Sequence, residues 1–268
     1  MTARVLIVAG SDSGGGAGIQ ADIKTVTALG GFATTAITAL TAQNTLGVEA
    51  IMSVDPAFIQ KQMRAILDDI GADVVKTGML HNAAVIDAVS DIIDDLDPSI
   101  PIVVDPVMMT QSGISLLDPA AVQTLTRRLS LRATVMTPNI PEAEKLTGMT
   151  IVDVEGMMRA AAMLHTIGPK AVLLKGGHLG SAPKVYDVLA SEEGVETFES
   201  PRIETHNVHG TGCTLASAIA TGLAQGLSVR DAVVRGRAYL YEAIRTNPGL
   251  GRGQGPVNHG HTVRPFKV

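Results

Sequence analysis

Short runs of apolar residues alternate with longer amphipathic stretches along the chain. Val5–Ala9, Ala33–Leu40, Val74–Lys76, Ile102–Asp105, Thr134–Thr137 and Ala171–Lys175 are brief and rich in Val, Ile or Thr. Most lack polar alternation, which predicts strands buried on both faces. Between them the pattern is helical. Pro56–Asp69 follows Asp55, a capping residue with proline at the first helical position. Asp118-Pro119 repeats that signal, and Pro141–Leu146 stops at Thr147-Gly148. Glu155–Ile167 ends at Gly168-Pro169, Leu215–Ala224 is an apolar helix, and Ser228 to Asp231 opens a last helix that runs to about Thr246.

Strand–helix alternation implies an α/β protein with a mainly parallel sheet and helices on both faces. Lys184–Leu189 and Val195–Phe198, joined across Glu192-Glu193-Gly194, predict a hairpin and hence antiparallel strands at one edge. No linker, low-complexity tract or repeat interrupts the 268 residues, so residues 1–268 read as one domain. In open sheets of this kind ligands sit beyond the carboxyl ends of the strands.

Composition narrows the function classes. Lys plus Arg is 21 and Asp plus Glu is 26, so the formal charge is 21 − 26 = −5. An acidic chain with 3% aromatic residues and no Trp lacks the charge and the stacking groups of a nucleic-acid binder. The apolar run Val5–Ala9 is too short for a signal-peptide core of about 7–15 residues. The uncharged stretch from Thr25 to Val48 is broken by Gly30-Gly31 and falls short of the ~18 apolar residues of a membrane span. A single cysteine excludes an intrachain disulfide and makes a cytoplasmic site the expectation.

The candidate chemistry stands at the strand ends. The first strand runs into a segment with five glycines between Gly10 and Gly18, which reads either as a turn or as backbone that approaches a ligand closely. Neither the dinucleotide fingerprint nor the phosphate-loop motif occurs. Gln43 offers an acceptor and a donor side by side, suited to an aminopyrimidine edge, or it caps nearby backbone. Asp105, Asn139 and Glu142 at successive strand ends suit a hydrated Mg²⁺, or they cap turns and helix starts. Lys175 beside Gly176-Gly177 suits a phosphate, or it snorkels at the sheet rim. Gly210-Thr211-Gly212-Cys213 opens an apolar helix, where unpaired amides and the helix dipole form an anion site. The same residues also read as a glycine-rich cap with a small buried thiol. His206, His209, His259 and His261 lack the further ligands of a zinc site.

Read together, these residues resemble the ribokinase-like superfamily, and within it the hydroxymethylpyrimidine/phosphomethylpyrimidine kinases. The resemblance rests on Ala9 to Asp22, Ala42 to Thr45, Thr77 to Leu80, Asp105 to Met108, Thr137 to Glu142, Lys175 to His178, His209 to Thr214 and Gly251 to His259, in order along nearly the whole chain. It implies a three-layer α/β/α fold, ATP and Mg²⁺ as cofactors, a small-molecule acceptor and a homodimer. The implied activity phosphorylates 4-amino-5-hydroxymethyl-2-methylpyrimidine and then its monophosphate, in thiamine biosynthesis. A pyridoxal kinase or a non-catalytic pyrimidine-phosphate sensor of the same fold are the alternatives.

By position, the resemblance gives Gln43 the aminopyrimidine, with Gly10, Asp22 and Met79 lining the pocket. Gly210, Thr211, Gly212 and Cys213 form the anion hole, and Lys175 meets the ATP phosphates. Asp105, Asn139 and Glu142 serve the metal–phosphate network. Most superfamily members carry an Asp base where this chain has Cys213. A helix start supplies ~0.3–1, up to ~2, kcal/mol, against ~1.4 kcal/mol per pKa unit. The thiol is therefore expected to fall from its free value toward 7.

Overall fold

The computed structural model describes residues 2–109, 117–180 and 183–264. Nine strands form one sheet: β1 (Arg4–Asp12), β2 (Phe32–Asn44), β3 (Gly47–Ser53), β4 (Val74–Thr77), β5 (Ile102–Val104), β6 (Val135–Met136), β7 (Ala171–Lys175), β8 (Lys184–Ser191) and β9 (Gly194–Pro201). Their spatial order is β3-β2-β1-β4-β5-β6-β7-β8-β9. From β2 to β7 every pairing is parallel. The two flanks, β3 on one side and β8–β9 on the other, are antiparallel.

Helices cover both faces of the sheet. On one side α2 (Pro56–Leu67), α3 (Ala83–Asp94), α4 (Pro119–Arg128), α5 (Ile140–Thr147) and α6 (Val154–Thr166) enclose the larger apolar core. On the other, α1 (Gly18–Ala28), α7 (Thr211–Ala224) and α8 (Val229–Arg245) enclose a second core around Val5, Ile7, Val103 and Leu173. The three-layer α/β/α arrangement expected from the alternating pattern is thus present. The capping signals act as read: the side chains of Asp55, Asp118 and Ser228 accept amides at their helix starts. Gly148 ends α5 in the left-handed region.

Three features differ from the pattern-based expectation. The second strand is 13 residues long, so Gln43 lies within it rather than in a loop after it. Its extra residues pair with β3, a strand half or fully exposed throughout, whose surface position gives no buried apolar run to read. Helix α1 has no side-chain cap at Ala17 and follows a glycine-rich segment. Helix α3 does carry a capping Asn82, a legible signal that the pattern reading passed over.

One polar contact joins the layers. Lys76, in the middle of the sheet, and Asp22, on α1, are both fully buried. Lys76 Nζ reaches the two carboxylate oxygens at 3.0 and 2.9 Å. Ser217 of α7 donates to Asp22 Oδ1 at 2.7 Å. Burial opposes the Lys76 charge, but Asp22 and, further off, Asp105 outweigh it and hold the ammonium protonated. Removing one partner of a buried pair strands the other charge. Asp22→Ala is therefore expected to cost about 3–5 kcal/mol in urea unfolding. Asp22→Leu combined with Lys76→Met should recover most of that loss. A single variant within about 1 kcal/mol of the parent would show that the pair does not anchor the layers.

Candidate active site

The carboxyl ends of the parallel strands open into one cleft. Its wall includes Gly10 and Asp12 of β1, Gln43 of β2, Met79 after β4, Asp105 after β5, Asn139 and Glu142 at α5, Lys175 of β7 and Gly210 to Cys213 at the start of α7. Two loops close the floor by direct backbone approach. Gly210, with φ 82°, faces the carbonyl of Gly16, and a side chain at either glycine would collide with the other loop or with the His209 ring. Gly10 and Met79 also meet across the cleft floor, the Met79 sulfur standing 3.2 Å from where a Gly10 side chain would begin.

At one end sit the groups suited to phosphate. Lys175 Nζ is 2.9 Å from Asp105 Oδ1, and Thr137 Oγ1 donates to the same oxygen at 2.9 Å. A side chain at Gly212 would begin 3.2 Å from Lys175 Nζ and 3.5 Å from Asp105 Oδ2, so both groups face the first turn of α7. That turn leaves the amides of Gly212 and Cys213 without carbonyl partners inside the helix. The Thr211 amide, expected in the same hole, donates to the Val208 carbonyl at 3.3 Å. Burial would lower the Lys175 ammonium, but Asp105 and Glu142 outweigh it and keep the charge.

The capping and metal readings of Asn139 and Glu142 meet here. Asn139 Oδ1 accepts the Glu142 amide at 2.9 Å, and Glu142 Oε2 accepts the Asn139 amide at 2.8 Å, a reciprocal capping box. Asn139 is therefore placed as a helix cap. Among the described residues no group of three His, Cys, Asp or Glu is gathered for a metal. The buried carboxylates Asp105 and Glu142 remain. They suit Mg²⁺, which keeps several waters and binds through one or two carboxylates plus substrate phosphates. Burial pushes the Glu142 carboxyl up to about 7, Lys175 pulls it down and Asp105 raises it further. A cation there would relieve that strain.

Two expectations are corrected. Asp22, expected to line the pocket, is fully buried behind the wall and engaged with Lys76 and Ser217. The Cys213 thiol is not lowered. Burial pushes it up to about 12, and Asp22 and Asp105 add to the rise, while Lys76 and a hydrogen bond from the Gly18 amide pull only partly the other way. Desolvation and two nearby carboxylates outweigh the helix start. Sequence reading also passed over Lys76, although a lysine inside an apolar strand was a visible signal. Among the described residues His209 stands apart from any metal cluster, and it lines the cleft beside Gln43.

Comparison with known proteins agrees with this geometry. The phosphomethylpyrimidine kinase family model matches residues 12–258. A hydroxymethylpyrimidine/phosphomethylpyrimidine kinase of Mycobacterium leprae is 46% identical over 259 residues, covering 95% of this chain and 93% of that protein. A thiamine biosynthesis bifunctional protein ThiED of Geobacter sulfurreducens is 54% identical over 255 residues, or 95% of this chain. The chain spans only 52% of that longer relative. Among solved structures, phosphomethylpyrimidine kinase from Clostridium difficile aligns with TM-score 0.80 and 41% identity, covering 90% of this chain and 99% of that one. An ADP complex of Bacillus subtilis pyridoxal kinase aligns with TM-score 0.89 and 35% identity, covering 97% and 98%.

The Glu142 shift sets a pH dependence in the metal-free chain. A raised carboxyl pKa means that the folded state binds the proton more tightly than the unfolded state. Its contribution favours folding below the unfolded value and is lost as pH rises through about 7. Thermal unfolding without metal should therefore show lower stability at pH 8 than at pH 6, and Glu142→Gln should flatten that difference. An unchanged slope in the variant would exclude Glu142 as its source.

Proposed function

The chain belongs to the phosphomethylpyrimidine kinase family, and from that premise we infer that its cleft transfers the terminal phosphoryl group of ATP to 4-amino-5-hydroxymethyl-2-methylpyrimidine and then to its monophosphate. One observation carries this reading. Gln43 presents an amide donor and acceptor to the same cleft that Lys175 and the α7 start line. A ring bearing CH₂OH would set its edge on Gln43 and direct its hydroxyl at the helix start. The phosphate-handling residues that a mere sensor could dispense with are all present.

Phosphoryl transfer needs positioning and charge stabilisation more than covalent help from the protein. The amides of Gly212 and Cys213 and the Lys175 ammonium would hold the transferring group, in a half-enclosed site where such contacts are strong. When bound, Mg²⁺ would offset the charge of the ATP phosphates, and Asp105 and Glu142 are the residues that would hold it. Cys213 stands where the acceptor hydroxyl loses its proton. With its thiol pushed up to about 12, it acts as a base only in the small thiolate fraction, which grows with pH. Gly10 and Met79 would support the ring.

A second reading, pyridoxal kinase activity, is favoured by the close overlay on the Bacillus subtilis pyridoxal kinase at TM-score 0.89. ADP release with each acceptor alcohol distinguishes the two. We also propose a homodimer, because Leu46 and Met52, 62% and 65% exposed, leave the β2–β3 edge apolar. Sedimentation at twice the chain mass is its check.

Steady-state kinetics with the pyrimidine alcohol test the site. Lys175→Met strands the buried Asp105 and should lower the melting temperature, yet kcat per folded molecule should also fall strongly; an unchanged kcat per folded molecule would instead mark Lys175 as structural. For the parent chain kcat should still be climbing above pH 9. Cys213→Ser should lose about 10²–10⁴-fold and that climb. Near-full kcat in Cys213→Ser with an unchanged profile would leave Cys213 a packing residue.

A further inference from the structure

The His209 ring faces two partners with the same nitrogen. Nε2 lies 2.9 Å from Asp12 Oδ2 and 3.3 Å from Gln43 Nε2. Asp12 is buried and also accepts the amides of Gly14, Gly16 and Ala17 at 2.8, 3.0 and 2.8 Å. Burial pushes its carboxyl up, but the hydrogen bonds from His209, Ala17 and Gly14 and the charge of His209 outweigh burial and hold it below its ordinary value. An ionised carboxylate only accepts hydrogen bonds. His209 Nε2 therefore carries a proton, and any second group at that nitrogen has to be an acceptor. An amide nitrogen is not one, whereas the Gln43 oxygen is.

The other end of the same amide has a matching conflict. Thr41 Oγ1 stands 3.1 Å from Gln43 Oε1 and 3.0 Å from the carbonyl of Ser11. Both of those oxygens only accept, and a hydroxyl has one proton. A half-turn of the amide about its last bond exchanges two atoms of nearly equal shape and removes both conflicts. Thr41 then donates to Ser11 and accepts from Gln43 Nε2, and Gln43 Oε1 shares the His209 proton with Asp12.

We propose that Asp12 and His209 are positioning residues that hold the Gln43 amide with Oε1 toward the imidazole and Nε2 toward Thr41. Each amide atom keeps one unused valence for a ligand: a lone pair on the His209 side and an N–H on the Thr41 side. The order of donor and acceptor read from the acceptor ring is thereby fixed. A 4-aminopyrimidine matches, its amino group on Oε1 and its ring nitrogen on Nε2. The 4-oxo counterpart has the same outline but presents an acceptor and a ring N–H in the reverse order. With its hydroxymethyl group directed at α7 it cannot turn over to match, and the site would bury unpaired polar groups. This inference rests on the reading that Gln43 contacts the acceptor ring.

The test compares kcat/KM for the amino substrate and its 4-oxo counterpart in the full chain. The parent should prefer the amine by about 10²-fold or more. His209→Leu frees the amide to turn and should reduce that preference at least about tenfold. His209→Gln, which returns an N–H near the lost one, should recover part of it. General damage to the fold lowers both substrates together and leaves the ratio alone. An unchanged preference in His209→Leu overturns the proposal, whereas an unchanged preference in Gln43→Leu overturns the underlying contact. Imidazole ¹⁵N spectra of the parent chain provide a check that needs no folded variant. They should show the proton on His209 Nε2, and an unprotonated Nε2 would also overturn the proposal.

Discussion

A lysine with no exposure to water has to be neutralised within the protein, and Lys76 meets that demand with Asp22. The pair spans the central strand β4 and helix α1, and Ser217 brings in α7. Three elements far apart in sequence are thereby held at one spacing. Helix α7 is tied to this contact through Ser217, so the position of its first turn depends on the same buried charges. Isolated buried charges are costly, and a pair with an added hydroxyl donor is the form in which they persist.

Around the cleft the charges alternate. Lys76 and Lys175 are cations; Asp22, Asp105 and Glu142 are acids. Each cation is held protonated by more than one acid, and the pull of Lys76 on Cys213 is outweighed by burial and the nearby carboxylates. Desolvation then decides the thiol, and the helix dipole, a fraction of an elementary charge spread over one turn, cannot reverse it. The same balance explains Glu142. It has Lys175 nearby, yet burial and Asp105 win. The acids, more numerous than the free chain can comfortably hold ionised, suit a site that works with a divalent cation and a polyphosphate.

Around Gln43 the cleft is organised by hydrogen-bond valence rather than by charge. Asp12 accepts three loop amides as well as His209, which orders the glycine-rich segment and the imidazole at once. The extension of β2 beyond the parallel part of the sheet carries Gln43 and Thr41 to the same place. A strand, rather than a loop, therefore presents Gln43 to the cleft.

Much of this was legible in the sequence. Apolar runs without alternation mark strands buried on both faces, and Asp-Pro pairs mark helix starts, because both signals depend on neighbours within a few residues. The parallel sheet, the two helical layers and the gathering of Gln43, Asp105, Lys175 and Gly210 to Cys213 at the carboxyl ends of the strands follow from that local information and from the family resemblance. What local information lacks is the partner across space. Asp22 reads as a pocket residue until Lys76 is found against it. Asn139 shows its part in capping α5 only when its oxygen is seen on the Glu142 amide. Cys213 reads as an activated thiol until its half-buried place beside two carboxylates is known. The sequence by itself determined the elements, their order and the chemical types at their ends. The tertiary structure alone decided which charges and hydrogen bonds each of those groups meets, since pKa and hydrogen-bond direction are properties of an environment assembled from residues nearly two hundred positions apart.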